Sequence, residues 1–433
     1  MVMDGALPNV ALPTIARELN IDPSSAIMIV SVNQLVLVMA LLPFSALGGR
    51  IGLRRMYQLG LCLFIAASLL CFFAPNFPLL LAARALQALG AAAALSVASA
   101  LLRSIYPTRQ LGRGIGINTV IVASAGGLAP ILGGYIVSEV DWHWIFVASA
   151  PLGLLSLAVG QRALPDVERH GQTISPLGAL LSALMFGLII SGLLALAGGH
   201  HLPTSLTVLL LGVLVAAVFV RRELRQAAPI LPVDLLANRV VALSFISAQF
   251  AFIASMTFVL SLPFRLQEHF GFSPSEVGTA VAPFPLAMMV SAPLAGMLSD
   301  RYHPAILGCI GMAIATAGML LLALLPEGAT QLDIAWRMAV CGTGYGLFFA
   351  PNAKLIITAA PIEHAASAGG LIATNRLAGQ ALGAALVAAL LAAGHGSDSS
   401  PALLGAVLTF LAGICSIARL SSRVTAPSGP NGE

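Results

Sequence analysis

The chain has 433 residues, 58% of them hydrophobic and 9% charged, against roughly 25% charged in ordinary soluble domains. A mean hydropathy of +0.95 excludes a string of soluble domains, and a backbone in hydrocarbon, with no water to pair its polar groups, forms helices here. The net charge of +4 is gathered on no soluble domain, so it points to a membrane surface and not to nucleic acid.

About 20 apolar residues cross a bilayer, and the apolar stretches of this chain predict an all-α polytopic membrane protein of about fourteen spanning helices. Helix 1, from Met1 to about Leu19, is incomplete, since its content matches only the second half of a spanning helix. It carries Asp4-x4-Asn9-Val-Ala-Leu-Pro13. Helix 2 (about 25–48) holds Gln34 and runs into the joint Ser-Ala-Leu-Gly-Gly-Arg-Ile-Gly-Leu-Arg-Arg at 45–55. Helix 3 follows at about 56–75, then helix 4 (77–102) with Arg84-x2-Gln87-x2-Gly90 and an Ala-rich run. Helix 5 (112–137) holds Asn118 and Ala125-Gly-Gly-Leu-Ala-Pro-Ile-Leu-Gly-Gly134, and helix 6 (144–162) follows Trp142-His-Trp-Ile-Phe146.

Helices 7 (about 175–197) and 8 (203–220) precede the longest joint, Arg221 to Arg239, where Pro229 and Pro232 suit a linker. Helices 9 (about 240–264) and 10 (275–299) come next, and the latter ends in Gly-Met-Leu-Ser-Asp-Arg at 296–301. Helices 11 (304–326), 12 (334–358), 13 (365–393) and 14 (401–418) complete the chain. Helix 12 carries Gly342, Gly344, Gly346, Pro351 and Asn352; helix 13 carries Asn375, Arg376, Gly379 and Gly383.

Pro43-x6-Arg50 at the end of helix 2 has a counterpart in Pro293-x6-Asp300-Arg301, about 250 residues later. That spacing predicts an N-terminal half over 1–162, two inserted helices and a linker over 163–239, and a C-terminal half with a short tail over 240–433. With helix 1 entering from the cytoplasm, the cytoplasmic joints and tail hold Arg50, Arg54, Arg55, Arg103, Arg109, Arg113, Arg162, Arg169, Arg221, Arg222, Arg225, Arg239, Arg301, Arg419 and Arg423. The other side holds Arg17, Arg265 and Arg337. This bias places both termini in the cytoplasm.

Three basic residues remain in or near hydrocarbon, Arg84, Lys354 and Arg376, and among acids Asp4 alone sits inside a helix; the other carboxylates lie at loops or helix ends where water solvates them. Intramembrane charges are costly and are usually kept for work. If Asp4 sits in a low-dielectric cavity, desolvation favours its protonated form, and one carboxylate that takes either a proton or a cation is a minimal antiport device. The structural alternative is a solvated acid at a frayed terminus. Arg84, always charged, would favour deprotonation of a nearby acid, or bridge helices through backbone bonds; Gln87 shares much of its face.

Gly126, Pro130, Gly133 and Gly134 let helix 5 approach its neighbours and bend, either as packing or as part of a rocking motion. Arg50, Asp300 and Arg301 are candidates for a cytoplasmic latch that caps helix ends. Asn9, Gln34, Gln87, Asn118, Asn352, Asn375 and Arg376 are candidates for the cavity wall, although polar side chains that bridge helices are the commoner case. Trp142 and Trp144 read as interface anchors. Five cysteines in apolar stretches read as free thiols, and neither a metal set nor a cofactor motif is expected. A nucleophile, base and orienter trio and a phosphate loop are both missing from the sequence, so an enzyme is not expected.

Together the helix 2 joint, the helix 4 arginine motif, the helix 5 proline-glycine motif and the Asp4 to Pro13 segment resemble the major facilitator superfamily. The closest resemblance within it is to the fourteen-helix drug:proton antiporter family, and it covers nearly the whole chain. Departures are Gly49 where the family has Asp, Ser45 where it has Gly, Ala129 before Pro130, Ala6 at a Thr position, and a helix 1 short by about ten residues, which leaves room for a start upstream of Met1. The resemblance implies two six-helix halves around a central cavity, alternating access, a monomer, and small-molecule substrate and protons as partners. The leading expectation is proton-coupled export of lipophilic, cationic drugs or biocides. Export of a neutral or anionic metabolite facing Arg84 and Arg376, or a non-transporting scaffold or decayed protein, stand as alternatives.

Overall fold

The computed structural model describes residues 2–106, 111–165, 176–197, 201–226, 233–359 and 365–420. Among these there are helices and turns and no strand, and the helices fall into fourteen rods. They are α1 (Val2–Glu18), α2 (Pro23–Ile51), α3 (Leu53–Phe72), α4 (Phe77–Ile105), α5 (Leu111–Glu139), α6 (Trp144–Ala163) and α7 (Pro176–Ala197). The others are α8 (Leu202–Glu223), α9 (Arg239–Phe264), α10 (Pro274–Leu298), α11 (Pro304–Ala323), α12 (Gln331–Ala359), α13 (Ala365–Ala392) and α14 (Ser400–Leu420). Eleven are long and apolar enough to cross a membrane by length and composition.

Rod boundaries follow local chemistry. Asn76 accepts from the Leu79 N–H and Asn238 from the Val240 N–H, while Ser273 and Glu276 form a reciprocal capping box ahead of α10. Gly52 turns the chain between α2 and α3 at φ +101°, a conformation that costs a residue with a Cβ. Breaks the periodicity did not show divide α2 at Ile27, α6 near Ser149 and α10 at Ala282. Pro151 and Pro283 lie just past the last two breaks and cannot donate the bond that would continue the helix.

Two close helix crossings are built from glycines. Gly60 of α3 and Gly90 of α4 bring their backbones together, and so do Gly311 of α11 and Gly344 of α12, each pair about 250 residues from its counterpart. Small residues at crossings admit the close approach that drives helix association where no water is expelled. The inserted α7 and α8 pack on one another through Gly192 and Gly212. They also cover the seam between α2 and α13, where Ile190 meets Leu37, Val38 and Leu377.

The arginine-rich joints share one end of the bundle, here the basic end. There Arg54 donates to the Gln161 carbonyl and Lys354 pairs with Asp300. At the opposite end one core joins the two halves: Leu7, Ile15, Ile27 and Ile29 pack with Met256, Leu260, Phe264, Ala384 and Val387.

Several sequence expectations need correction. Trp142 is buried and donates to Glu18, so only the exposed Trp144 suits an interface anchor. Glu223 is buried at the end of α8 instead of solvated there. Arg419, counted with the surface arginines, is 2% exposed and held by Ser244, Ser416 and Asn352. Pro229 and Pro232 of the linker, and Arg109, Arg169 and Arg423, lie outside the described residues.

Candidate functional site

Asp4 and Arg84, eighty positions apart, meet inside the N-terminal half. Arg84 Nη1 donates to Asp4 Oδ2 at 3.2 Å, and Gln87 Nε2 donates to Asp4 Oδ1 at 2.9 Å. The i, i+3 spacing on α4 is what aims both side chains at one carboxylate. Gln87 also accepts from Arg84 through Oε1 and donates to Ser68 Oγ at 2.8 Å, and Ser68 is anchored on the Phe64 carbonyl. Arg84 completes its shell with the Ile29 carbonyl and the face of Phe146, 5.3 Å from its ring centroid.

All four polar side chains are sequestered: Asp4 is 3% exposed, and Arg84, Gln87 and Ser68 are 0%. A frayed, solvated Asp4 is thereby ruled out. A buried pair of this kind is fragile to loss of either member, because the survivor is left as an uncompensated charge.

The closed end is built from glycines. Gly133 lies against the Leu7 carbonyl, Gly134 against the Pro274 carbonyl, and Gly278 against the Pro130 carbonyl, each so close that a Cβ would collide. Gly127 takes the side chain of Leu286, whereas a Cβ on Gly126 would meet open space, so Gly126 does not belong to the seam. Gln267, in the π-turn that extends α9, reinforces the closure: it donates to the Val10 carbonyl at 3.0 Å and accepts from Arg17 at 3.1 Å.

The surroundings of α13 locate a cavity. Gly379 and Gly383 face Phe252, Ile253 and Met256 of α9, Leu377 and Ala381 join Leu37 and Val38 of α2, and Leu371 joins Met185 and Phe219 of the inserted pair. The fourth side, opposite the insert, faces the bundle interior and carries residues 369, 373, 376, 380, 384 and 387 by helical spacing. Gly369 and Arg376 are exposed, Ala373 and Gln380 half-buried, and Ala384 and Val387 fully buried. One face that passes from open to buried along its length fits a cavity open at the basic end and shut at the other. Arg376 itself is exposed, as expected of a cavity wall.

The remaining candidates divide. Asn352 donates to the Ser244 carbonyl and accepts from Arg419, and Asn375 donates to the Phe245 carbonyl, so both bridge helices. Asn9 is buried with its carbonyl oxygen lacking a partner among the described residues; Gln34 is buried on α2; Asn118 is exposed on α5. Arg50 and Arg301 are exposed at the basic end. Asp300 pairs with Lys354, which also donates to the Ser299 carbonyl at 3.0 Å. The sequence reading missed Lys354 as that partner, along with Ser68, Gln267 and Arg419.

The chain matches the family model described as Major Facilitator Superfamily over residues 1–384 and 248–432. It is similar to an uncharacterized transporter, YebQ, of Escherichia coli, with 42% identity over 96% of this chain and 91% of that one. It is also similar to the riboflavin transporter RibZ of Clostridioides difficile, 28% identical over 90% of this chain and 85% of that one. The methyl viologen resistance protein SmvA of Salmonella typhimurium is 28% identical over 90% of this chain and 80% of that one.

Proposed function

The chain belongs to the Major Facilitator Superfamily and is a multi-pass membrane transporter; from that premise we propose that it is a proton-coupled antiporter of the fourteen-helix drug-export type. It sits in the inner membrane of a bacterium with its basic end in the cytoplasm, and it exports lipophilic small molecules by alternating access. The observation that carries this reading is the dry Asp4–Arg84–Gln87 cluster. Arg84 and Gln87 between them donate to both carboxylate oxygens of Asp4. A proton delivered to Asp4 removes the carboxylate's charge, loosens Arg84 and Gln87, and so changes what holds α1 to α4.

The state described here has the carboxylate paired and the basic end open, which suits the step that receives cargo after the proton has left. Opening the glycine seam would bring Asp4 to the outside proton reservoir. The same helix that holds Asp4 also carries Leu7 into that seam, so protonation and closure act on one rod.

Relatives named for riboflavin transport and methyl viologen resistance support small, ring-bearing cargo. The expectation of a cationic cargo rested on Asp4 as its counter-charge, and in this state Arg84 occupies that carboxylate. A second reading, export of a neutral or anionic compound, is favoured by Arg376, whose charge is open to the cavity.

The test uses inverted membrane vesicles carrying a respiration-driven proton gradient, with methyl viologen or riboflavin added. Wild-type protein is expected to dissipate the gradient on addition of a carried compound, and Asp4→Asn to lose that response. An equal response from Asp4→Asn sinks the coupling role.

A further inference from the structure

A second cluster, on the C-terminal side of the cavity, is used by none of the steps above. Phe252 of α9 stacks on Phe349 of α12, with centroids 4.4 Å apart and planes inclined by 16°. Phe349 in turn lies 5.6 Å from Tyr345 at 26°, and Tyr345 lies 6.4 Å from Phe258 at 24°. Four rings thus form a near-parallel staircase that runs from the buried core of the C-terminal half toward α13. Its inner members, Tyr345 and Phe258, are buried, and its outer members, Phe349 and Phe252, are half-buried.

The staircase ends at α13. The first side-chain carbon of Phe252 lies against Gly379, where no side chain intervenes, and among the described residues Phe252 has a single ring neighbour, Phe349. Arg376 stands one helical turn before Gly379 on the adjoining, cavity-facing side, and Gln380 follows it at i+4 on that side. A half-buried aromatic ring set against Gly379, a permanently charged planar fork and an amide are therefore neighbours along one stretch of α13. Offset stacking rewards a flat ring system, and a guanidinium matches a carboxylate in a bidentate fashion. Among the described residues, no exposed carboxylate shares this stretch of α13 to attract a cation.

We infer that this is the cargo site, and that it takes planar aromatic compounds bearing an anionic group: the ring extends the stack on Phe252 and the anion meets Arg376, with Gln380 as a further hydrogen-bonding group. The assignment rests on the export reading above, whose cargo it specifies. It also gives the membrane potential a role, since an anion leaving a negative interior while a proton enters moves two charges in the favourable sense.

The full chain in lipid nanodiscs is titrated with 2-naphthoate, its ring-saturated analogue decahydro-2-naphthoate, and the cation 2-naphthyltrimethylammonium. Wild-type protein is expected to bind 2-naphthoate about tenfold more tightly than either comparison compound, as one charged contact or one stacked ring supplies. Arg376→Gln is expected to erase the preference for the anion and Arg376→Lys to keep most of it, while Phe252→Leu erases the preference for the flat ring. Tighter binding of the cation, an unchanged preference in Arg376→Gln, or no binding of any of the three overturns the assignment. Should 2-naphthoate bind as stated while its efflux ignores an imposed proton gradient, the antiport reading fails and the site stands. Should the gradient drive methyl viologen while 2-naphthoate does not bind, the reverse holds.

Discussion

A β-carbon on Gly133 would stand 2.9 Å from the carbonyl oxygen of Leu7, three residues along α1 from Asp4. The glycine seam at the closed end and the carboxylate proposed to take the proton are thus one turn apart on a single helix. Substituting Gly133 or Gly134 is expected to hold the seam apart and leave the opposite end open, since backbone oxygens cannot yield as a flexible side chain does. A cysteine placed at Gln267, labelled with a membrane-impermeant maleimide, reads this: Gly134→Val should label faster than its parent and fail to transport. Gly126→Ala, facing open space, should match its parent in both, and equal defects in the two variants contradict the seam.

Loss of Arg84 should be severe. Arg84→Ala strands Asp4 in a dry pocket, at a cost of about 3–5 kcal/mol, whereas Asp4→Asn/Arg84→Gln removes both charges and should recover much of that loss without recovering coupled transport. Thermal unfolding in detergent provides the comparison. A double variant as unstable as Arg84→Ala would show that the pair's charges are not what matters there.

The two basic-end contacts of the C-terminal half should differ in weight. Lys354 and Asp300 have side chains 36% and 73% exposed, so Lys354→Ala should cost about 0–1 kcal/mol, and less in high salt. Arg419 is buried among Ser244, Ser416 and Asn352, and Arg419→Ala should cost about 2 kcal/mol or more by stranding a buried acceptor. Parallel melts at low and high salt separate the two, and a salt-sensitive Arg419 would refute its burial.

The repeat carries its own expectation. Gly90→Val and Gly344→Val occupy corresponding crossings in the two halves, and each should lower the melting temperature by pushing apart a helix pair. A tolerant Gly344→Val would mean that the C-terminal crossing is not the counterpart of the N-terminal one.

The rods were legible because a spanning helix must be apolar over its whole length, and Asp4, Arg84 and Gln87 stood out because polar groups are rare against that background. Their meeting was not legible, as nothing in the spacing of α1 and α4 fixes which faces turn toward each other. Arg419 was misread for a related reason: an arginine at a helix end satisfies the charge bias equally well when it is buried. Phe252 and Phe349 gave no signal at all, since phenylalanines in an apolar helix look alike until packing separates lipid-facing rings from cavity-facing ones. Of the helix 5 glycines, Gly126 and Gly127 are adjacent in sequence, and only the backbone path shows that Gly127 alone meets the facing α10.

Coupling through Asp4 is the central claim, and proteoliposomes test it directly by comparing two modes of transport for one carried compound. Wild-type protein should perform both downhill exchange and uphill movement driven by an imposed proton gradient, while Asp4→Asn keeps the exchange and loses the uphill movement. An Asp4→Asn protein that still moves its cargo uphill in response to the gradient would contradict the account and place the proton site elsewhere.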